Sequence, residues 1–157
     1  MKDGIQAAMS AAIGLVLETM FFMSTEISGE EAPAEYFGTL KDRLHGGQIA
    51  FSGPCGGRFF ILIPEAVLCA MTESFLTLER DKIEERHLSG MVKEILNMVA
   101  GNTFSAHNPD HVYELGIPER VPAETVARVL AESDREPIFL VVDTIDGRLA
   151  LALLQTR

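Results

Sequence analysis

Ile138-Phe139-Leu140-Val141-Val142-Asp143-Thr144-Ile145-Asp146-Gly147-Arg148-Leu149-Ala150-Leu151-Ala152-Leu153 is two apolar runs with a short polar break between them. Asp-Gly at such a break supplies the backbone freedom that a tight reversal needs, so the stretch predicts a β-hairpin. An earlier stretch repeats the plan. Gln48-Ile49-Ala50-Phe51 and Phe59-Phe60-Ile61-Leu62-Ile63 flank Ser52-Gly53-Pro54-Cys55-Gly56-Gly57, whose Gly and Pro density also marks a turn. Gly57-Arg58-Phe59-Phe60 echoes Gly147-Arg148-Leu149-Ala150. Upstream of each hairpin, Leu17-Glu18-Thr19-Met20-Phe21-Phe22 echoes Lys93-Glu94-Ile95-Leu96-Asn97-Met98.

Two readings of these echoes stay open. Apolar elements resemble one another by chance, or the chain is an internal repeat. The repeat predicts an α/β (α+β) fold of two pseudo-repeated αβ halves sharing one mixed sheet, with the long helices packed on one face.

Working outward, a first helix is expected from Lys2 to Met23, and a loop with room for a short strand from Ser24 to Tyr36. Pro64 suits the first turn of a helix reaching Leu76. Asp81 and Glu84 have capping-box spacing, with Asp81 as N-cap of a helix that ends near Gly101 or runs to Asn108, before Pro109. Val112 to Ile117 suits a strand. Pro122 to Ser133 suits a short helix, with Val126, Val129 and Leu130 on one face.

A chain of 157 residues is long enough to bury a real core, and the stretch 1–157 is expected to form a single domain. Its net charge of -10 argues against nucleic acid and against anionic membranes, which both call for clustered Lys and Arg. Ile5 to Met23 is apolar enough to raise a membrane span. Gln6, Ser10, Glu18 and Thr19 interrupt it, and a carboxylate at mid-bilayer is costly, so it is read as a buried amphipathic helix. Cys55 and Cys69 form no CxxC pair. Two thiols suit a reducing compartment, so a cytoplasmic protein is expected, with Cys69 in the core.

At about 100° per residue, Leu88, Met91, Val92, Ile95, Met98 and Val99 share one side of the helix after Asp81. Gly90, Glu94, Asn97 and Gly101 share the opposite side. Glycine inside a helix costs about 1 kcal/mol relative to alanine, and asparagine is also unfavourable there. A face built only for helix stability would carry Lys, Glu, Gln or Ala. The stripe therefore suggests small residues clearing room for another protein's surface, with Glu94 and Asn97 reaching into it. The spacing alone leaves a second reading open, a plain polar face with Gly101 as C-cap.

Glu94-Ile95-Leu96-Asn97-Met98-Val99-Ala100-Gly101-Asn102 closely resembles the central motif of CheX, in the CheC/CheX/FliY family of chemotaxis phosphatases. Glu18-Thr19-Met20, Ile49-Ala50-Phe51-Ser52-Gly53-Pro54 and Asp146-Gly147-Arg148 extend the resemblance over most of the chain. It implies a hydrolase that removes the aspartyl phosphate of a CheY-like response regulator in chemotaxis or related two-component signalling. Glu94 would pair with the conserved lysine of the regulator's active site, and Asn97 would enter that site and position the attacking water. Gly90 and Gly101 would lie against the partner. No cofactor of its own is implied, because the regulator supplies Mg2+. A homodimer joined through sheet edges is implied as well.

The chain departs from the family pattern in three places. Gly90 stands where the family usually has Asp or Ser, and Ser89 lies about 100° off the stripe. Pro118 and Pro122 bracket the place of a family proline. Glu18 is followed at the matching step by Phe21, so only the second half is expected to be active, as in CheX. A regulator-binding module that sequesters without hydrolysis is the alternative, and a structural role in a motor-switch complex is a third reading.

Other motifs point elsewhere. His107 and His111 have the spacing of a helical metal pair, yet Pro109 between them favours a loop, and no metal is expected. His45 and His87 suit surface or capping roles. Gly53 to Gly57 lacks the Lys-Ser/Thr of a phosphate-binding loop, and no Ser or Cys nucleophile with a base can be argued.

Overall fold

The computed structural model of the protein describes residues 2–28, 31–39 and 42–156. Gly29 and Glu30, inside the expected loop Ser24–Tyr36, lie outside the described residues, as do Met1 and Arg157.

Helix α1 (Lys2–Phe21) opens the first half, followed by β1 (Glu26–Ile27), α2 (Pro33–Thr39), β2 (Leu44–Ser52), β3 (Gly57–Pro64) and α3 (Glu65–Leu76). A 3-10 turn at Arg80–Lys82 leads to the second half. That half holds α4 (Glu85–His107), β4 (Glu114–Leu115), β5 (Glu119–Pro122), α5 (Ala123–Glu132), β6 (Ile138–Thr144) and β7 (Gly147–Gln155). Both expected hairpins form, β2 with β3 and β6 with β7. The second closes over Ile145-Asp146, with Thr144 paired to Gly147. Gly147 has φ 152°, and the Thr144 hydroxyl accepts its N–H at 3.2 Å, which fixes the reversal.

The sheet order is β1-β6-β7-β3-β2-β4, with β5 also paired to β2. Each half lends its short strands to the other half's hairpin. β1 joins β6, and β4 and β5 join β2. The hairpins meet at the centre through β3 and β7, where Ile61 faces Leu151. Ile61 lies four residues after Gly57, and Leu151 four after Gly147, so the sequence echo maps onto a pseudo-twofold axis. The repeat is therefore real in the fold. One detail differs from expectation: every strand pair is antiparallel, so the sheet is not mixed. Hairpins can only pair their strands antiparallel, and the swapped short strands add on in the same sense.

The long helices α1, α3 and α4 pack on one face, as expected. Ile5, Met9, Ile13, Leu17, Val92 and Ile95 join Ile49, Phe59, Ile61 and Leu151 in the larger core. Helix α1 is long and apolar enough to cross a membrane by length and composition alone, but these residues turn its apolar side into that core. The other face carries the short helices α2 and α5, with Tyr36, Val126 and Leu130 on Phe60, Leu62 and Val141. Helix α2 was not expected within Ser24–Tyr36. Pro33 starts it, a favoured first position, and Tyr36 anchors it through a hydroxyl that donates to the Arg148 carbonyl at 2.8 Å. Burial pushes the Tyr36 hydroxyl well above the usual phenol range.

Candidate functional site

Helix α4 carries the candidate residues, and its placement follows from three local features. Its N-cap is Glu84, not the expected Asp81, which lies in the preceding 3-10 turn. Glu84 and His87 cap each other: His87 Nδ1 accepts the Glu84 N–H at 2.9 Å, and the Glu84 side chain accepts the His87 N–H. Histidine can replace the usual Glu or Gln of a capping box because its unprotonated ring nitrogen is an acceptor, a substitution that motif spacing does not reveal.

Next, α4 approaches β2 closely. A Cβ on Gly47 would meet Val92 Cγ1 at 2.8 Å, so glycine there lets the helix lie on the strand. Lastly, α4 packs beside α1, whose first turn meets its last: a Cβ on Gly4 would lie 3.4 Å from His107 Cε1. Wedged between sheet and α1, the helix buries a wider arc than periodicity alone gives. Leu96, Ala100, Thr103 and Phe104 are buried together with Leu88, Met91, Val92, Ile95 and Val99. Met98 is half-buried at the edge of the core.

On the outer side, Gly90, Glu94 and Asn97 are exposed, and Gly101 is half-buried. A Cβ on Gly90 would meet nothing within 4 Å, whereas one on Gly101 would reach Leu115 Cδ1 at 4.0 Å. Gly101 is not a C-cap, since the helix runs on to His107 and is capped at Asn108. Among the described residues, the side chains of Glu94 and Asn97 make no hydrogen bond or ion pair. By contrast, Asn102 on the same helix donates to the Met98 carbonyl at 2.8 Å, and Thr103 to the Val99 carbonyl at 2.7 Å. Lys93, also exposed, adds a cation beside the pair. The arrangement is a carboxylate and a carboxamide one helical turn apart, aimed at solvent. It can accept a proton donor at Glu94 and can both donate and accept at Asn97.

The matching place on α1 is chemically different. Glu18 is exposed, but Phe21 is 2% exposed and its ring lies 5.5 Å from that of Phe75. The other sequence candidates are dispersed. His107 ends α4, while His111 lies in the loop beyond it, its Nδ1 2.8 Å from Asn108 Oδ1. Among the described residues, no three His, Cys, Asp or Glu side chains gather as a metal site would require. Cys69 is buried in the core, and burial raises its thiol pKa. His45 departs from expectation. It is 1% exposed, held between Glu65 and Arg120, which lie far from it in sequence. A cavity of about 980 Å³ opens beside Arg43, Glu85, Ser89 and Arg120. Glu94 and Asn97 lie outside it, so their chemistry belongs to an open surface and not to an enclosed pocket.

The fold and this face define a class: a pseudo-symmetric sheet protein presenting one long helix to solvent, with a carboxylate and a carboxamide that make no hydrogen bond or ion pair among the described residues. The family model for chemotaxis phosphatase CheX matches residues 45–140, which include all of α4, and the chain belongs to that family. Solved structures share the fold throughout. The chemotaxis protein CheX from Vibrio vulnificus superposes with a TM-score of 0.72 at 18% identity, covering 99% of this chain and 98% of that one. CheX from Desulfovibrio desulfuricans gives 0.70 at 14% identity, covering 96% and 98%. A CheX-CheY-BeF3-Mg+2 complex from Borrelia burgdorferi gives 0.66 at 14% identity, covering 96% and 97%. No curated protein matches the sequence.

Proposed function

We propose that this protein docks α4 on a phosphorylated CheY-like regulator and hydrolyses its aspartyl phosphate, with Glu94 gripping the regulator and Asn97 orienting the water. The observation that carries this is the pair itself: in a CheX-family chain, Glu94 and Asn97 stand exposed and make no hydrogen bond or ion pair among the described residues. An acyl phosphate is already reactive. The incoming water forms the new P–O bond as the aspartyl P–O bond breaks, the aspartyl oxygen departs as carboxylate, and the water's protons pass to the inorganic phosphate and solvent; a Mg2+ held by the regulator would neutralise the phosphoryl oxygens. What remains for a second protein is orientation. A carboxamide can hold water by hydrogen bonds without adding a negative charge beside the phosphoryl group. A carboxylate at position 97 would add repulsion. Glu94, one turn earlier, is placed to meet a lysine on the partner.

The same reading treats residues 1–157 as one cytoplasmic domain that pairs into a homodimer through its sheet edges, with no cofactor of its own. The relative solved together with CheY and Mg2+ supports a regulator as partner. Gly90 supports a second reading, a module that binds a regulator without hydrolysing it, because the family's usual Asp or Ser is missing there. One experiment separates the two. Phosphate loss from a phosphorylated regulator is followed with native protein, Asn97→Ala and Glu94→Ala. Catalysis requires native protein to accelerate loss, Asn97→Ala to bind without accelerating it, and Glu94→Ala to bind weakly. Equal decay with native protein and Asn97→Ala would sink the catalytic reading.

A further inference from the structure

Where α3 and α4 begin, a buried histidine holds two opposite charges apart. The side chain of His45, on β2, has 0% exposure. Its Nε2 lies 3.0 Å from Oε1 of Glu65, the first residue of α3. Its Nδ1 lies 2.9 Å from Nη2 of Arg120 on β5. A carboxylate only accepts and a guanidinium only donates. Both contacts therefore hold together only when the ring is neutral, with its hydrogen on Nε2 and a lone pair on Nδ1.

The surrounding charges are tied into the same contact. Arg120 Nη1 is 3.7 Å from Oε1 of Glu85, the first residue of α4. Arg43 lies 3.6 Å from Glu65 and 4.0 Å from Glu85. Asp42 accepts the Ala66 N–H at 3.1 Å, at the start of α3. Glu124, on α5, lines the adjoining cavity with Asp42, Arg43, Glu85 and Arg120. Strand β5 is pressed against β2 here, since a Cβ on Gly46 would come within 2.5 Å of the Val121 carbonyl. His45 and Arg120 thus bind β5 to the layer of helices that presents Glu94 and Asn97.

We propose that His45 is a proton-operated clasp between β5 and the helix layer. A proton arriving on Nδ1 replaces an acceptor with a donor facing a guanidinium, and the ring becomes a cation beside a cation. The Nε2–H bond to Glu65 survives, because the carboxylate also holds the charged ring. Arg120 leaves the ring for Glu85 and for the cavity that it lines, its side chain being already 25% exposed to solvent. β5 loosens as the contact opens. This device is independent of whether the protein hydrolyses phosphate.

Nitrogen NMR on the whole native chain tests it, by titration from about pH 8 down to the onset of acid unfolding. At the upper end, the His45 ring should show the neutral pattern with the proton on Nε2. As the ring takes its second proton, the Arg120 Nε–H signal should shift in parallel. Hydrogen-exchange protection of β5 should fall several-fold relative to the central β3–β7 pair. His45→Asn should remove the pH dependence of both readouts. Three results would each overturn the clasp: a neutral ring protonated on Nδ1, an Arg120 signal indifferent to ring protonation, or a ring that stays neutral until acid unfolding. The same change persisting in His45→Asn would overturn it as well. If that variant does not fold, the native titration still decides.

Discussion

Helices α1 and α4 hold equivalent places in the two halves, lie against each other, and differ in what they turn outward. Both carry an exposed glutamate, Glu18 and Glu94. Three residues on, α1 has Phe21, buried against Phe75, while α4 has Asn97, exposed and without a hydrogen-bond partner among the described residues. One repeated framework thus devotes one helix to packing and leaves the other a polar surface. The difference comes down to one position. Phenylalanine gains by leaving water, and asparagine loses unless its amide finds hydrogen bonds. The framework tolerates an open Asn97 because α4 is already secured by its buried arc, by its Glu84–His87 cap, and by the close approach that Gly47 permits.

The hardest way to break this contrast is to make α1 resemble α4. Phe21→Asn removes a buried aromatic, a loss of about 3–5 kcal/mol, and leaves a buried amide to satisfy. For a domain of this size that corresponds to a fall in Tm of about 10 °C or more, read by thermal melting. It should create no second active centre. A small loss of stability together with added phosphatase activity would show that α1 is a latent site and not a structural helix.

Asn97→Ala has the next largest effect, and it falls on activity alone. Removing a single orienting amide should slow phosphate loss from the regulator by about 10²-fold, a magnitude typical of losing one placed hydrogen-bonding group. Stability should not fall and should gain no more than about 1 kcal/mol from helix propensity, because the residue is exposed and makes no hydrogen bond or ion pair among the described residues. A matching drop in Tm would mean that Asn97 holds the helix and that the rate loss is secondary.

Much of this contrast is legible in the residues. Asp146-Gly147 and the echo of Gly57-Arg58 in Gly147-Arg148 mark the hairpins and their symmetry, because turn chemistry and alternating burial are local. The 3.6-residue period puts Glu94 and Asn97 outside for the same reason. Three things depend on distant partners and are not legible. Tyr36 builds α2 only because the Arg148 carbonyl waits for its hydroxyl. His45 is buried only because Glu65 and Arg120 arrive from other elements. Leu96 joins the core only because α4 is covered from two sides, by β2 and by α1. The period likewise marks a polar face without naming a chemistry. That step came from the motif around Asn97, and the match over residues 45–140 places the chain in its family.

A smaller change sharpens the role of the glycines. Because a Cβ on Gly90 meets nothing within 4 Å, Gly90→Ala should stabilise α4 by about 1 kcal/mol, from helix propensity alone. Chemical denaturation measures it directly. Gly101→Ala should gain no more, since Leu115 already lies at contact distance. A destabilised Gly90→Ala would mean that the open space beside it is filled in solution. A gain in stability with weaker regulator binding would tie the glycine to docking clearance.

Glu18→Ala should do least. Glu18 is exposed, and among the described residues its side chain has no hydrogen bond or ion pair, so its loss should move stability by no more than about 0.5 kcal/mol. The proposed docking uses α4 alone, so regulator binding and phosphate loss should change by less than about twofold, within ordinary surface effects. Glu94→Ala is the partner measurement, because the two carboxylates occupy equivalent places and are followed one turn later by Asn in one helix and Phe in the other. If both substitutions weaken binding alike, the regulator reads the net acidity of the helix layer and not one helix. If only Glu94→Ala does, the half that kept its asparagine is the half that docks.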